Sequence, residues 1–326
     1  MTRLERRPAG IARNGGSRTD GNEVDLEFGL GGEEGMKAAV AVAAQDEHGE
    51  GVFWAFEHQL LYWTDIFGER VWTYAPDRKQ ARSFKTPGRV CCFATRRGRP
   101  WNEVVAAFSD GFAFLDLETG GRLNVAKIDA DVAGLRLNDG RTDRQGRFIA
   151  GGMDEATGKP RASVWRLDGD GRVERLLDGV TVANGACFSP DGGTFWFADS
   201  PKSAIEAFDY DRKTGRPNRR RVVARVARPG VPDGSCVDAE GYVWNAVWEG
   251  YRVNRYAPDG RLDRTIELPV RKPTCCAFGG ADFGTLFITS SRAGESQADL
   301  AERPESGNLF AVRPGVVGLA DAPFAG

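Results

Sequence analysis

An internal repeat constrains the fold of this chain more than any other feature of its 326 residues. Each copy contains a loop residue, small residues, an apolar strand, a polar turn and another strand. The copies recur about every 45 residues, a spacing within the range of β-propeller blades. They begin at Glu50, Arg89, Asn138, Asn184, Asp233 and Thr274.

A second hairpin recurs later in each copy and raises the expected number of strands to four. Its turns fall at residues 74–77, 115–120, 167–171, 209–215, 256–260 and 312–315. The 42 Gly and many aromatic residues suit short strands with tight turns rather than helices. The sequence therefore predicts an all-β fold, a six-bladed β-propeller with four antiparallel strands per blade. A pair of β-sandwiches is the competing fold, and the near-equal spacing counts against it.

The N-terminal segment differs in composition from the rest of the chain. Residues 1–35 are rich in Gly, Arg and Glu and lack the apolar stretch of a signal peptide. Such a composition does not support a packed core. We therefore expect residues 1–35 to be a disordered or non-native extension, and residues 36–326 to form a single propeller domain.

Charge and composition argue against several classes of partner. The 44 Lys and Arg nearly balance the 46 Asp and Glu, so neither a nucleic acid nor an anionic membrane is expected to bind through bulk charge. No apolar run of about 18 residues is present, so no transmembrane helix is expected. The six Cys form no C-x-x-C pair, which argues against a cysteine-ligated zinc site. Their apolar neighbours indicate buried, reduced thiols and favour a cytoplasmic location.

Three polar residues occupy equivalent positions at the start of different copies. They are Glu50, Asn184 and Asp233, and each is followed by Gly. The first strand of each propeller blade lines the central channel, so residues at this position converge at one channel mouth. Each is an ordinary turn residue when taken singly. Together they supply two carboxylates and an amide oxygen, which suit a divalent cation. Without a cation the two carboxylates would repel each other.

Short motifs distributed along the chain strengthen this interpretation. They are Gly-Glu-Gly at 49–51, Leu-Tyr-Trp-Thr-Asp-Ile at 61–66, Arg-Leu-Asn-Asp-Gly-Arg-Thr-Asp at 136–143, Ala-Asn-Gly at 183–185, Phe-Ser-Pro-Asp-Gly at 188–192, Ala-Phe-Asp-Tyr-Asp at 207–211, Pro-Asp-Gly at 232–234, Asp-Ala-Glu-Gly at 238–241 and Phe-Gly-Gly at 278–280. As a set they resemble the regucalcin/gluconolactonase family of sugar lactonases. The resemblance runs from about residue 37 to about residue 313.

The resemblance implies a six-bladed propeller with one catalytic divalent metal ion. The metal-ligand pattern of the family falls on Glu50, Asn184 and Asp233. Its substrate-contacting residues fall on Arg136 and Asn138, and an acidic substrate contact of some members lies near residues 151–155, where Glu155 is the candidate. Oxygen ligands permit Ca²⁺, Mg²⁺ or Mn²⁺, and an open three-ligand site can also accept Zn²⁺ or Fe²⁺.

The reaction implied by the resemblance is hydrolysis of an aldono-lactone, such as a glucono-, xylono- or arabinono-lactone, to its aldonic acid. The metal ion would polarise the carbonyl, and Asp233 is the candidate general base that activates water. Arg136 and Asn138 would orient the sugar. The chain has only two His, His48 and His58, so a Ser-His-Asp mechanism is not expected.

Two other functions remain open at the level of sequence. A metal-dependent esterase or phosphotriesterase on the same scaffold would use a similar ion with a more apolar pocket. A non-enzymatic calcium-binding propeller would use the acidic site without turnover. The sequence specifies neither the sugar nor the oligomeric state.

Overall fold

Six small antiparallel sheets make up most of the structure. The computed structural model describes residues 37–129 and 132–326. Each sheet has four strands. The predicted all-β six-bladed propeller is confirmed, together with the number of strands per blade. The expectation for residues 1–35 concerns residues outside the described part of the chain.

The secondary-structure elements follow in chain order. The strands are β1 (Ala39–Val42), β2 (Gly49–Ala55), β3 (Leu60–Asp65), β4 (Arg70–Ala75), β5 (Gln80–Lys85), β6 (Val90–Thr95), β7 (Glu103–Phe108), β8 (Gly111–Asp116), β9 (Arg122–Lys127), β10 (Leu135–Thr142), β11 (Phe148–Asp154), β12 (Ala162–Leu167), β13 (Val173–Val180), β14 (Ala183–Phe188), β15 (Thr194–Asp199), β16 (Ala204–Asp211), β17 (Arg216–Arg225), β18 (Val231–Val237), β19 (Val243–Trp248), β20 (Arg252–Tyr256), β21 (Leu262–Glu267), β22 (Pro273–Gly279), β23 (Thr285–Ser290) and β24 (Leu309–Val312). The helices are three 3₁₀ turns at Phe56–His58, Pro76–Arg78 and Ser200–Lys202, and α1 (Gln297–Glu302).

Blades I to V each take four consecutive strands, from β2–β5 to β18–β21. Within a blade, burial decreases from the inner strand outwards: in blade I every residue of β2 is buried, whereas β5 is largely exposed. Apolar side chains fill the space between blades, as where Phe53 stacks on Tyr62 at 5.2 Å and meets Phe93 of blade II. Burying such a side chain contributes about 1.5–3 kcal/mol. The inner strands are therefore buried almost throughout, including polar residues such as those of β10.

The first strands of the blades surround a central channel. Each contacts the first strand of the next blade, and β22 contacts β2, so the ring closes. Blade VI combines both ends of the fold, because β1 pairs with β24 beside β23 and β22. In this pairing Ala39 lies opposite Ala311. The hairpin predicted at residues 312–315 is therefore wrong, since the fourth strand of blade VI is β1 and not a strand that follows β24.

The chain after β24 crosses one end of the channel. Phe324 is buried, and its backbone N–H donates to the Thr95 carbonyl at the end of β6. Gly318 forms a β-bridge with Asp238, which directly follows β18. Both partners lie where first strands end, so this C-terminal segment covers the channel end opposite to the strand starts. Within the described residues, every helix is too short or too polar to cross a membrane.

Candidate functional site

Each first strand contains a β-bulge. The strand register shifts at residues 50–53, 90–92, 137–140, 184–187, 232–235 and 273–276. A bulge bends its strand and redirects a side chain, which is why bulges are common beside active sites. Gly51 and Gly185 have φ angles of +58° and +67°, conformations that favour glycine. The Gly that follows Glu50 or Asn184 therefore belongs to the bulge itself.

The six side chains predicted to form the site line one cavity. Its volume is about 670 Å³. The predicted residues on its wall are Glu50 of β2, Arg136 and Asn138 of β10, Glu155 just after β11, Asn184 of β14 and Asp233 of β18. The structure thus brings together residues from four blades, and their roles in ligation and catalysis stay predictions.

A chain of hydrogen bonds orders the polar side of the cavity. Arg136 Nη1 donates to Asn138 Oδ1 at 2.8 Å, and Asn138 Nδ2 donates to Asn184 Oδ1 at 3.2 Å. Asn184 Nδ2 donates to Ser200 Oγ at 2.8 Å, and this hydroxyl donates to the Pro232 carbonyl at 2.7 Å. These contacts fix the orientation of the Asn184 amide. Its Oδ1 keeps a second lone pair that a cation can use.

Three carboxyl groups are buried at this end of the channel, those of Glu50, Asp139 and Asp233. Burial raises the pKa of Glu50, and the Asp139 charge raises it further. Burial also raises the pKa of Asp233 well above its usual value, with a further contribution from the charges of Glu50 and Asp139. Asp139 is held by backbone donors, since it accepts from Gly140 N at 2.8 Å and from Ala186 N at 3.0 Å. Of these three, Glu50 and Asp233 lie on the cavity wall.

This donor set fits a divalent cation. Two buried carboxylates with raised pKa values need a nearby positive charge to be ionised together, and a cation supplies it. Carboxylate and amide oxygens are the ligands that Ca²⁺, Mg²⁺ and Mn²⁺ prefer. Across residues 37–129 and 132–326, no three or more His, Cys, Asp and Glu side chains are grouped so as to hold a metal ion. A cation here would therefore need the Asn184 amide beside Glu50 and Asp233.

Glu155 connects two arginines at the edge of the cavity. Its Oε1 accepts from Arg136 Nε at 3.1 Å, and its Oε2 pairs with Arg89 Nη1 at 3.2 Å. The Glu155 side chain is 41% exposed, whereas the Arg136 side chain is 6% exposed. Glu155 therefore orients the buried Arg136 while remaining accessible to a ligand.

Another part of the cavity wall is aromatic. His48 stacks on Phe67 with 4.8 Å between ring centres, and Trp248 meets His48 edge-on at 5.5 Å. His48 Nδ1 donates to Ser291 Oγ at 2.9 Å, because this hydroxyl itself donates to a backbone carbonyl. Burial and the Arg136 charge lower the pKa of His48 to about 3, so the imidazole is neutral at neutral pH. The rings of His48, Phe67 and Trp248 form an aromatic wall that presents flat, uncharged surfaces to the cavity.

The ends of the second strands provide a sequence signal for Phe67, Ser200 and Trp248. In an antiparallel hairpin the end of the second strand lies beside the start of the first. Second strands β3, β11, β15 and β19 end at residues 65, 154, 199 and 248. The cavity residues at or just after these ends are Phe67, Glu155, Ser200 and Trp248. The ends of the second strands therefore converge at the cavity in the same way as the starts of the first strands.

The model of one protein family matches most of the chain. Its description is "SMP-30/Gluconolactonase/LRE-like region", and the match covers residues 48–292. The chain belongs to this family. The matched range includes all six predicted site residues, and the resemblance expected from the short motifs is confirmed.

Individual members of the family are similar over nearly their whole length. The L-arabinolactonase of Azospirillum brasilense is 36% identical over 294 residues, which cover 89% of this chain and 96% of that protein. The 6-deoxy-6-sulfogluconolactonase of Pseudomonas putida is 36% identical over 282 residues, which cover 85% and 95%. A solved structure of a calcium-binding protein, regucalcin from Agrobacterium tumefaciens, has a TM-score of 0.84 at 27% identity and covers 89% of this chain and 98% of that one.

Proposed function

We propose that this protein is a cation-dependent sugar lactonase that hydrolyses an aldono-lactone to its aldonic acid. One observation carries the proposal: two buried carboxyl groups and an amide oxygen share a single cavity with Arg136 and Asn138. The first group of side chains suits a cation, and the second suits a polyhydroxylated substrate. The relatives named as lactonases support the reaction class.

Glu50, Asn184 and Asp233 would hold the cation. When bound, the cation supplies a Lewis acid that stabilises the negative charge developing on the lactone carbonyl oxygen. The description of the Agrobacterium relative as calcium-binding agrees with an all-oxygen ligand set.

The protein's own side chains would carry the proton and orient the substrate. Asp233 accepts a proton from the attacking water as the water oxygen bonds to the carbonyl carbon. The same carboxyl group returns this proton to the ring oxygen when the ring C–O bond breaks. Arg136 uses Nε and Nη1 on partners within the described chain, which leaves Nη2 for a sugar hydroxyl. Asn138 Oδ1 can accept a second hydrogen bond from the substrate.

The aromatic wall favours a second candidate function, hydrolysis of less polar esters or phosphotriesters. Phe67 and Trp248 can pack against the C–H face of a sugar ring, but they can equally hold an aryl group. The polar side, with Arg136, Asn138 and Glu155, favours the sugar lactone. A substrate panel that contains both classes decides between them.

The deciding experiment measures hydrolysis by purified protein, first in EDTA and then with Ca²⁺, Mg²⁺, Mn²⁺, Zn²⁺ or Fe²⁺ restored singly. The panel contains glucono-, xylono- and arabinono-lactones, an aryl ester and a phosphotriester, each corrected for spontaneous hydrolysis. We expect turnover of at least one aldono-lactone that EDTA abolishes and a cation restores. Faster turnover of the aryl ester or phosphotriester would favour the second candidate. Cation binding by calorimetry without any turnover would support a non-enzymatic calcium-binding propeller instead.

A further inference from the structure

Arg141 lies inside the channel below the cavity, three residues after Asn138 on β10. Its side chain is 8% exposed and pairs through Nη1 with the Asp321 carboxylate at 2.5 Å. Its Nη2 donates to the carbonyl of Val52 at 3.4 Å and to that of Ser235 at 3.2 Å. Arg141 lies on β10 of blade III, and its guanidinium group contacts the backbones of β2 in blade I and β18 in blade V.

The positions of these two carbonyl groups connect Arg141 to the candidate cation site. Val52 is two residues after Glu50, and Ser235 is two residues after Asp233. Both carbonyls lie within the bulges whose register shifts span residues 50–53 and 232–235. Arg141 thus holds the two strand segments that carry the carboxylate ligands of the proposed site.

Asp321 reaches the channel because the C-terminal segment is anchored on both sides of it. Before Asp321, Gly318 forms a β-bridge with Asp238. After it, Phe324 is buried and its backbone contacts Thr95 and Arg97. The Asp321 carboxylate is therefore delivered to Arg141 by the tail of the chain, 180 residues away in sequence.

We propose that Arg141, held by Asp321, is a positioning residue that sets the spacing of Glu50 and Asp233 and so determines cation affinity and turnover. A rigid connection is needed there because the two carboxylates repel each other until a cation binds. A planar guanidinium is suited to the task, since it can pair with a carboxylate and donate to two carbonyl oxygens at fixed angles. The part of the inference that concerns turnover rests on the proposed lactonase function.

The test compares Arg141→Lys, Asp321→Asn and the double variant Arg141→Met/Asp321→Asn with the unaltered protein. Arg141→Lys retains the paired charge and is expected to fold, but an ammonium group cannot reproduce the planar fork. The double variant removes both charges of the pair, so neither partner is left as an unpaired charge. The matched control is Asp282→Asn, which breaks the exposed pair between Asp282 and Arg313 in blade VI.

The measurements are the calcium Kd of EDTA-treated protein by calorimetry, the Tm in EDTA, and kcat and KM. We expect Arg141→Lys and the double variant to fold and to bind calcium at least tenfold more weakly, with kcat reduced more than KM is raised. Asp321→Asn should show the same loss together with a lower Tm, and Asp282→Asn should match the unaltered protein.

A purely structural pair gives a different pattern. The double variant would then have the Tm and the calcium affinity of the unaltered protein, and this result would overturn the proposal. A calcium Kd of Arg141→Lys within twofold of that of the unaltered protein would also overturn it. If the unaltered protein binds calcium but hydrolyses no lactone, the proposed function fails while the calcium affinities still test the role of Arg141. If the unaltered protein binds no calcium, the positioning proposal is overturned whether or not lactones are hydrolysed.

Discussion

At the scale of single residues, Asp233 has the most demanding environment in the cavity. It is 5% exposed and lies near two other buried carboxyl groups. An unpaired buried carboxylate is costly, so this group is neutral or has a cation beside it. The proposed reaction needs a cation ligand and a general base, and Asp233 would serve as both. Folding by itself does not favour a carboxylate at this buried position.

Replacing Asp233 by Asn separates these two roles. Asn keeps an oxygen that can ligate a cation but cannot take a proton from water, so we expect kcat to fall by at least about 100-fold. Calcium binding should weaken less than in Asp233→Ala, because Ala removes the oxygen altogether. Kinetics and calorimetry on the two folded variants check this. Turnover near the original value in Asp233→Asn would show that another group serves as the base.

Removing the cation should make stability depend on pH. Burial raises the pKa of Glu50 from the usual 4.5 to about 8, and that of Asp233 also rises. The unfolded chain therefore loses these protons first as pH increases. The stability associated with the protonated groups is fully present below about pH 4 and is lost as pH rises through the folded-state pKa values.

Denaturant unfolding from pH 4 to 9 in EDTA and in calcium measures this effect. In EDTA the free energy of unfolding should fall with pH, by at most about 1.4 kcal/mol per pH unit for each group. Calcium should flatten the curve, since it stabilises the ionised carboxylates. Glu50→Gln is the matched control and should reduce the slope in EDTA. Identical curves with and without calcium would contradict a cation site formed by these residues.

At the scale of elements, the bulges decide where the site residues lie. All six first strands have one, although only three carry a predicted ligand. The bulge is thus common to all six blades, whereas the residue type at that position determines which blades supply a predicted ligand. Gly51 and Gly185 provide the left-handed backbone in β2 and β14.

Gly51→Ala tests the bulge of β2. An added Cβ would meet no atom closer than 3.5 Å, so the expected cost is backbone strain of about 1–2 kcal/mol. Gly98→Ala is a matched control, because Gly98 also has a positive φ, +68°, and an added Cβ would meet nothing within 4 Å. We expect similar losses of unfolding free energy for both, but weaker calcium binding and turnover only for Gly51→Ala. Equal activity in the two variants would mean that the Gly51 conformation does not position Glu50.

At the scale of the whole molecule, closure of the ring depends on β1. This strand supplies the fourth strand of blade VI by pairing with β24, so the two ends of the propeller hold each other. We propose that the folded domain comprises residues 36–326. Every strand of the six sheets lies between Ala39 and Val312.

Two truncations test this boundary. A variant that begins at Met36 should have the Tm of the full chain. A variant that begins at Ala44 lacks β1 and exposes the edge of β24, so we expect it to lose at least about 3 kcal/mol and to have a Tm lower by about 10 °C. Thermal unfolding with size-exclusion chromatography provides the measurement. A lower Tm for the variant that begins at Met36 would place the domain boundary earlier in the chain.

The repeat and the three polar residues at its strand starts were sufficient to predict the propeller and the convergence of Glu50, Asn184 and Asp233. The propeller and the convergence of these residues both depend on the strand-and-turn pattern that recurs in the sequence. The tertiary structure alone showed that β1 closes blade VI and that Asp321 pairs with Arg141. These contacts join segments that no periodic pattern relates, across 180 residues in the last case. A local pattern specifies strands and turns, whereas the choice of a distant partner depends on how the closed ring packs.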